Sequence, residues 1–239
     1  MGTLYLIRHG QASYGKADYD RLSTVGEAQS RALGERLELA GLAGLDAIYS
    51  GPMTRQRETL QHMRTAAAAA RHPIPDADGM CAELAEYPAF ELLAGAMPKL
   101  IAEEPELAPI RAGHGDPALL DRAFRLMITR WSRGELAVDG VEGIADFTAR
   151  IRRGIEALVA AHAGGRVGVV TSGGAIGVAV LLALGITGER AIAIGRQIRN
   201  TSVSEFRYRS RGFAWRPDDF SLVSFNHVAH LPSDLQTFR

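Results

Sequence analysis

Thr3-Leu4-Tyr5-Leu6-Ile7-Arg8-His9-Gly10 reads as a buried β-strand over residues 3–8 that runs out into two ionisable side chains and a glycine. A short apolar run ending this way is a strand leading into a functional loop. Imidazole is the side chain whose unperturbed pKa lies nearest neutrality, so His9 can attack, accept or release protons there. Arg8 offers a planar fork of donors matched to anionic oxygens. Gly10 lets the backbone turn and approach a ligand closely. A tripeptide is weak evidence alone, and its meaning depends on what the rest of the chain supplies.

Working outward, residues 24–41 read as a helix, with Leu33, Leu37 and Ala40 at helical spacing and Gly41 as its stop. Ala47-Ile48-Tyr49-Ser50 is a second short strand. Gly51-Pro52 follows, and Pro52 suits the first turn of a helix that carries Arg55 and Arg57 into the alanine tract 66–70. Residues 73–79 and 105–117 read as loops. The stretches 89–104, 117–133 and about 143–163 read as helices. Arg166-Val167-Gly168-Val169-Val170-Thr171 is a strand buried on both faces, and Gly173-Gly174 opens an apolar helix through Leu184. Residues 201–209 and 212–225 read as the two strands of a hairpin. Strands alternating with helices predict an α/β three-layer sandwich, with a mainly parallel central sheet and helices on both faces. In open sheets of this kind ligands sit outside the carboxyl ends of the strands. Loops at Arg8, Ser50 and Thr171 all begin at such ends.

The 239 residues, 46% of them hydrophobic, suit one domain of 1–239 with an inserted segment. Lys+Arg 27 balances Asp+Glu 27, which argues against nucleic acid or a membrane surface as a partner. The single Cys81 excludes an internal disulfide and reads as a small core residue. The apolar run 175–184 is short of the roughly 20 residues that span a bilayer. With a strand starting almost at Met1 there is no room for a signal peptide, so the expected location is cytoplasmic.

The three loops together gather two guanidiniums (Arg8, Arg55), the His9 imidazole and a helix N-terminus at Thr171-Ser172-Gly173-Gly174. Such a group suits a dianionic phosphate. Neutral His9 could attack phosphorus and carry the phosphoryl group covalently. The leaving alkoxide then needs a proton. Glu86, among apolar neighbours in Leu84-Ala85-Glu86-Tyr87, is the candidate acid, with Glu83 its rival. Gln11 and Ser13 are candidates to line the pocket. His227-x-x-His230 has metal-like spacing but lacks acidic or cysteine partners and reads as structural, so no metal or other cofactor is expected.

Taken in order, these residues resemble the histidine phosphatase superfamily, in its phosphoglycerate-mutase-like branch. The resemblance rests on Leu6-Ile7-Arg8-His9-Gly10-Gln11 and Tyr19-Asp20-Arg21-Leu22-Ser23 with Gly26 and Gln29. It continues through Ser50-Gly51-Pro52-Met53-Thr54-Arg55 with Arg57 and Thr59, Leu84-x-Glu86, Val169 to Gly174, and Asn200-Thr201-Ser202-Val203. It implies a phosphoglycerate mutase-like fold, His9 as the phosphorylated nucleophile and Glu86 as proton donor. Arg8, Arg55, Ser172 and Gly173 would bind phosphate, and residues of about 87–145 would form a helical cap that shapes specificity.

The sequence departs from that family's pattern where a second histidine usually follows the strand: the residue here is Ser172. A serine donates a hydrogen bond without a positive charge. Charge-assisted bonds are roughly twice as strong as neutral ones, so a loss of a few kcal/mol at the transition state is expected. That is on the order of a hundredfold in rate. Gly15 stands where many relatives carry a phosphate-contacting Asn, Gly51 is a one-residue insertion, and His114 is the cap histidine that could swing in. The sequence thus predicts a phosphomonoesterase of the histidine acid phosphatase kind, with reduced activity on a small phosphorylated substrate. The protein would be a monomer or homodimer. The rival is a degenerate member that binds a phosphate ester or phosphoprotein without turnover, and a phosphoglycerate-type mutase ranks below both.

Overall fold

The computed structural model describes residues 1–13, 20–75, 77–111 and 116–238. Gly15, Tyr19 and His114 therefore lie outside the described residues. In chain order the elements are β1 (Gly2–Arg8), α1 (Thr24–Glu35), β2 (Ala47–Ser50), α2 (Thr54–Ala69), β3 (Ala77–Met80) and α3 (Ala89–Glu103). They continue with α4 (Ala108–Arg111), α5 (Pro117–Ser132), α6 (Ile144–Ala161), β4 (Arg166–Thr171), α7 (Gly173–Leu184), α8 (Gly188–Gly195), β5 (Val203–Tyr208) and β6 (Phe220–His227).

The strands form one six-stranded sheet in the order β3-β2-β4-β1-β5-β6. β1, β2, β3 and β4 pair in parallel, while β5 and β6 run antiparallel to their neighbours. The expected α/β architecture with a mainly parallel sheet is what forms. Side chains alternate across each strand. Tyr5 and Ile7 of β1 join Ile48, Val170 and Val203 on one face. There they pack on Leu33 of α1, Leu60 and Met63 of α2, and Leu37 and Leu42 beyond α1. Leu4 and Leu6 are equally buried but face the other way, where α7 contacts β1 and β6. Burying such side chains from water is the main force holding the layers together, at about 25 cal/mol per Å² of apolar surface.

Topology brings the carboxyl ends of two central strands together. From β1 the chain leaves through α1 towards β2, whereas from the adjacent β4 it leaves through α7 and α8 towards β5. The two connections run over opposite faces of the sheet, and the carboxyl ends of β1 and β4 are left side by side, with Arg8 opposite Thr171.

By contact density the chain divides into two compact units, Met1–Glu86 with Arg150–Arg239, and Tyr87–Ala149. The first holds the sheet. The second has its own aromatic centre, in which Tyr87 stands 5.1 Å from Trp131 and edge-on to Phe147 at 5.7 Å. Trp131 Nε1 donates to the Glu142 carbonyl at 3.0 Å, which satisfies the one polar atom of a buried indole.

Several boundaries differ from the sequence reading. Residues 77–80 form the edge strand β3 rather than part of a loop, because pairing with β2 overrides a Gly- and Asp-containing composition. The first helix stops at Glu35 and leaves 36–41 as turns, with Gly41 at φ +74°. The final strand begins only at Phe220. The short helices α4 and α8 were not expected.

Candidate active site

The site is built at the carboxyl ends of β1, β2 and β4. His9 leaves β1 with its N–H donating to the Thr171 carbonyl at 2.9 Å, so β4 fixes its height. Its carbonyl accepts from Asn200 Nδ2 at 3.2 Å and from the Thr201 N–H at 3.4 Å. Thr201 holds a positive φ of 54°, a left-handed conformation that strains a β-branched residue. Asn200 is fixed in turn by Thr237, whose hydroxyl donates to Oδ1 at 2.8 Å.

The His9 ring is 6% exposed. Nδ1 lies 2.6 Å from the Gly10 carbonyl. A carbonyl can only accept, so the proton sits on Nδ1 and the Nε2 lone pair is left outward. Arg55 Nε donates to that Nε2 at 3.1 Å, which agrees with the same tautomer. Burial and then the charges of Arg55 and Arg8 hold the His9 pKa well below the usual imidazole value, against a smaller opposing effect of the Gly10 bond. The imidazole is therefore neutral at physiological pH, the form a nucleophile needs.

Arg55 is the second residue of α2 and is 6% exposed. Its Nη1 donates to Asp20 Oδ1 at 2.6 Å, and Asp20 Oδ2 accepts from the Thr54 N–H at 2.8 Å. Asp20 thus anchors both the guanidinium and the start of α2. Arg8 acts on His9 through its charge. Its Nη1 donates to the carbonyls of Ile198 and Phe238, the latter at 2.9 Å.

Glu86 Oε2 accepts from the Gly174 N–H at 3.0 Å. The carboxylate thereby caps the positive end of α7, which the sequence reading left open for phosphate. The rival Glu83 is exposed, and Cys81 Sγ lies 3.8 Å from its Oε2. Gly173 packs α7 onto α8, for a Cβ there would stand 2.4 Å from the Gly195 carbonyl oxygen.

Ser172 is fully buried at the N-cap of α7 without making a side-chain cap bond. Its Oγ accepts from Gln56 Nε2 at 2.8 Å. Gln11 and Ser13 are tied to the start of α1. The Ser23 hydroxyl donates to Gln11 Oε1 at 2.8 Å, and Ser13 Oγ donates to the Leu22 carbonyl at 2.9 Å. Among the described residues no group of His, Cys, Asp and Glu is placed to hold a metal ion. Among the described residues no helix is long and apolar enough to cross a membrane.

The sequence model of the histidine phosphatase superfamily (branch 1) matches residues 4–80 and 89–217. Among solved structures, a mutant phosphoserine phosphatase from Entamoeba histolytica in complex with phosphoserine gives a TM-score of 0.63 at 19% identity, covering 97% of this chain and 100% of its own. Mycobacterial glucosyl-3-phosphoglycerate phosphatase with inorganic phosphate gives 0.62 at 20%, covering 97% and 100%. Phosphoglycerate mutase from Bacillus anthracis gives 0.58 at 18%, covering 96% and 94%. At such identities the likeness establishes the fold. Comparison with curated proteins finds no match.

Proposed function

The chain belongs to the histidine phosphatase superfamily (branch 1), and on that premise we propose that it is a metal-independent phosphatase acting on small phosphomonoesters through a phosphohistidine on His9. The observation that carries the proposal is the His9 ring. Its Nδ1 lies against the Gly10 carbonyl, and its Nε2 lone pair faces the Arg55 guanidinium. The solved structures of similar fold include phosphatases for phosphoserine and for glucosyl-3-phosphoglycerate, which supports a small phosphorylated substrate.

In the proposed reaction, Nε2 attacks phosphorus as the ester P–O bond breaks. The Arg55 donor that rests on Nε2 moves to a phosphoryl oxygen, where Arg8 adds positive charge. Glu86 passes a proton to the leaving alkoxide. Water then attacks the phosphohistidine, Glu86 takes back a proton, and inorganic phosphate leaves with His9 neutral again. Ser172 offers the phosphoryl group a neutral donor. The charge-assisted contact of a second histidine is missing, and turnover is expected to be correspondingly weak.

A specific observation favours a second reading: fully buried Ser172 is tied to Gln56, which fits a site that binds a phosphate ester or phosphoprotein without turnover. One assay separates the two. The purified protein is given an aryl phosphate, and acid-labile phosphohistidine is trapped after rapid quenching. Turnover and label that both vanish in His9→Ala support the hydrolase. Absence of turnover in wild type at high protein concentration, with phosphate binding retained, replaces it with the binding protein.

A further inference from the structure

Gln56, Gly51 and Ser172 form a connected group, and the proposed chemistry has given Gln56 and Gly51 no part. All three are buried. Gln56 Oε1 accepts from the Met53 N–H at 3.1 Å. That backbone N–H can only donate, so the amide cannot turn over, and Nε2 must face Ser172. Nε2 then donates to Ser172 Oγ at 2.8 Å. Gly51 makes room for the arrangement, because a Cβ at that position would lie 2.2 Å from Gln56 Oε1. Gly51 and Ser172 thus meet through one side chain, that of Gln56.

We propose that Gln56 is a positioning residue that fixes the polarity of the Ser172 hydroxyl, so that Ser172 acts as an obligate hydrogen-bond donor to the phosphoryl group. One lone pair of Oγ is occupied by the amide, and the amide offers that hydroxyl proton no acceptor. Ser172 makes no cap bond within α7, and Glu86 already takes the Gly174 N–H. The hydroxyl proton is left to serve an anion at the carboxyl end of β4. Unlike a histidine, this donor neither gains nor loses charge across the physiological pH range. The inference rests on the phosphate-site reading and deepens it.

Gln56→Glu tests it, because a carboxylate of the same shape can keep the Met53 contact while reversing the bond to Ser172. Wild type, Gln56→Glu, Ser172→Ala, the double variant and Gly51→Ala are compared. The readouts are kcat and KM on an aryl phosphate, and inorganic phosphate affinity by calorimetry, from about pH 5 to 8. Gln56→Glu is expected to lower kcat about ten- to hundredfold relative to wild type at the alkaline end. The deficit should shrink towards the acid end, where a protonated Glu regains a donor. Ser172→Ala should lose activity by a factor that does not vary with pH, and the double variant should match it. Should Gln56→Glu fail to fold, Gly51→Ala displaces the amide without adding charge, and its kcat is expected to fall to the Ser172→Ala level. The proposal is overturned if Gln56→Glu, or failing that Gly51→Ala, keeps wild-type kcat. It is also overturned if Gln56→Glu lowers kcat as much when Ser172 is already alanine. Wild type with neither turnover nor phosphate binding removes the phosphate-site reading and this inference together. Wild type that binds phosphate, with variants that behave like it, removes this inference alone.

Discussion

At His9 a single proton decides whether the imidazole can make the proposed attack. The ring is buried between two guanidinium charges, and these together favour the neutral form far below the usual titration range of imidazole. Activity should therefore persist into mildly acidic solution. Replacing Arg8 with Met removes one repelling charge, so His9 should hold its proton to higher pH. The acid limb of kcat/KM should then move upward, and Arg55→Met should move it further, since Arg55 exerts the larger effect. A limb that stays in place in both variants would assign it to another group. Arg8, His9 and Arg55 were legible because each lies where an apolar strand or a helix start meets polar residues. Asp20 reads in the sequence only as one member of a pattern. Its pairing with Arg55 joins residues 35 positions apart, and no spacing rule encodes such a contact. Gln56 gave no signal because an uncharged amide beside an arginine reads as helix surface. Thr201 was similarly silent, since nothing in a β-branched residue announces a positive φ.

Among the elements, α7 owes its placement to small residues. Gly173 lies against the Gly195 carbonyl, and Gly177 lies so near α8 that a Cβ would stand 2.2 Å from the Ala191 carbonyl oxygen. Backbone cannot yield as a flexible side chain does. Gly177→Ala should therefore destabilise the protein by about 1–3 kcal/mol, the range seen for overpacking, measured as a lower urea midpoint. It should also reduce turnover, because pushing α7 off α8 displaces the Gly174 N–H that holds Glu86. Unchanged stability would show that the two helices part without cost. The apolar run at 175–184 announced this helix, yet its glycines read only as a turn at the start. Close approach between helices depends on what faces the glycine, and that partner, α8, was itself not foreseen. β3 was lost for a related reason: its pairing with β2 supplies what its own composition lacks.

Over the whole molecule, buried imidazoles set the response to acid. His230 is fully buried, and its carbonyl anchors Arg36 at 2.8 Å. Burial first, then the nearby His227 charge, lowers its pKa to about 4. The unfolded chain takes up this proton near pH 6.5, whereas the folded one resists until about 4. Stability from this group is complete above the unfolded value and is lost as pH falls through that window. The loss amounts to about 3 kcal/mol at ~1.4 kcal/mol per unit. His9 acts in the same direction. Urea midpoints between neutral pH and about pH 4 should fall steeply for wild type and less so for His230→Asn. Parallel curves would place the acid sensitivity elsewhere.

The strand that carries His9 has a further consequence, in the order of events during synthesis. Both neighbours of β1 come late: Thr3 pairs with Arg166 on one side and Arg207 on the other. At about 5–20 residues per second, this apolar strand waits roughly 8 to 30 s for its first partner. Closing such distant contacts is entropically slow. His9 is therefore made long before the strands that set it in place, and the proposed site cannot assemble on a nascent chain until those later strands have emerged.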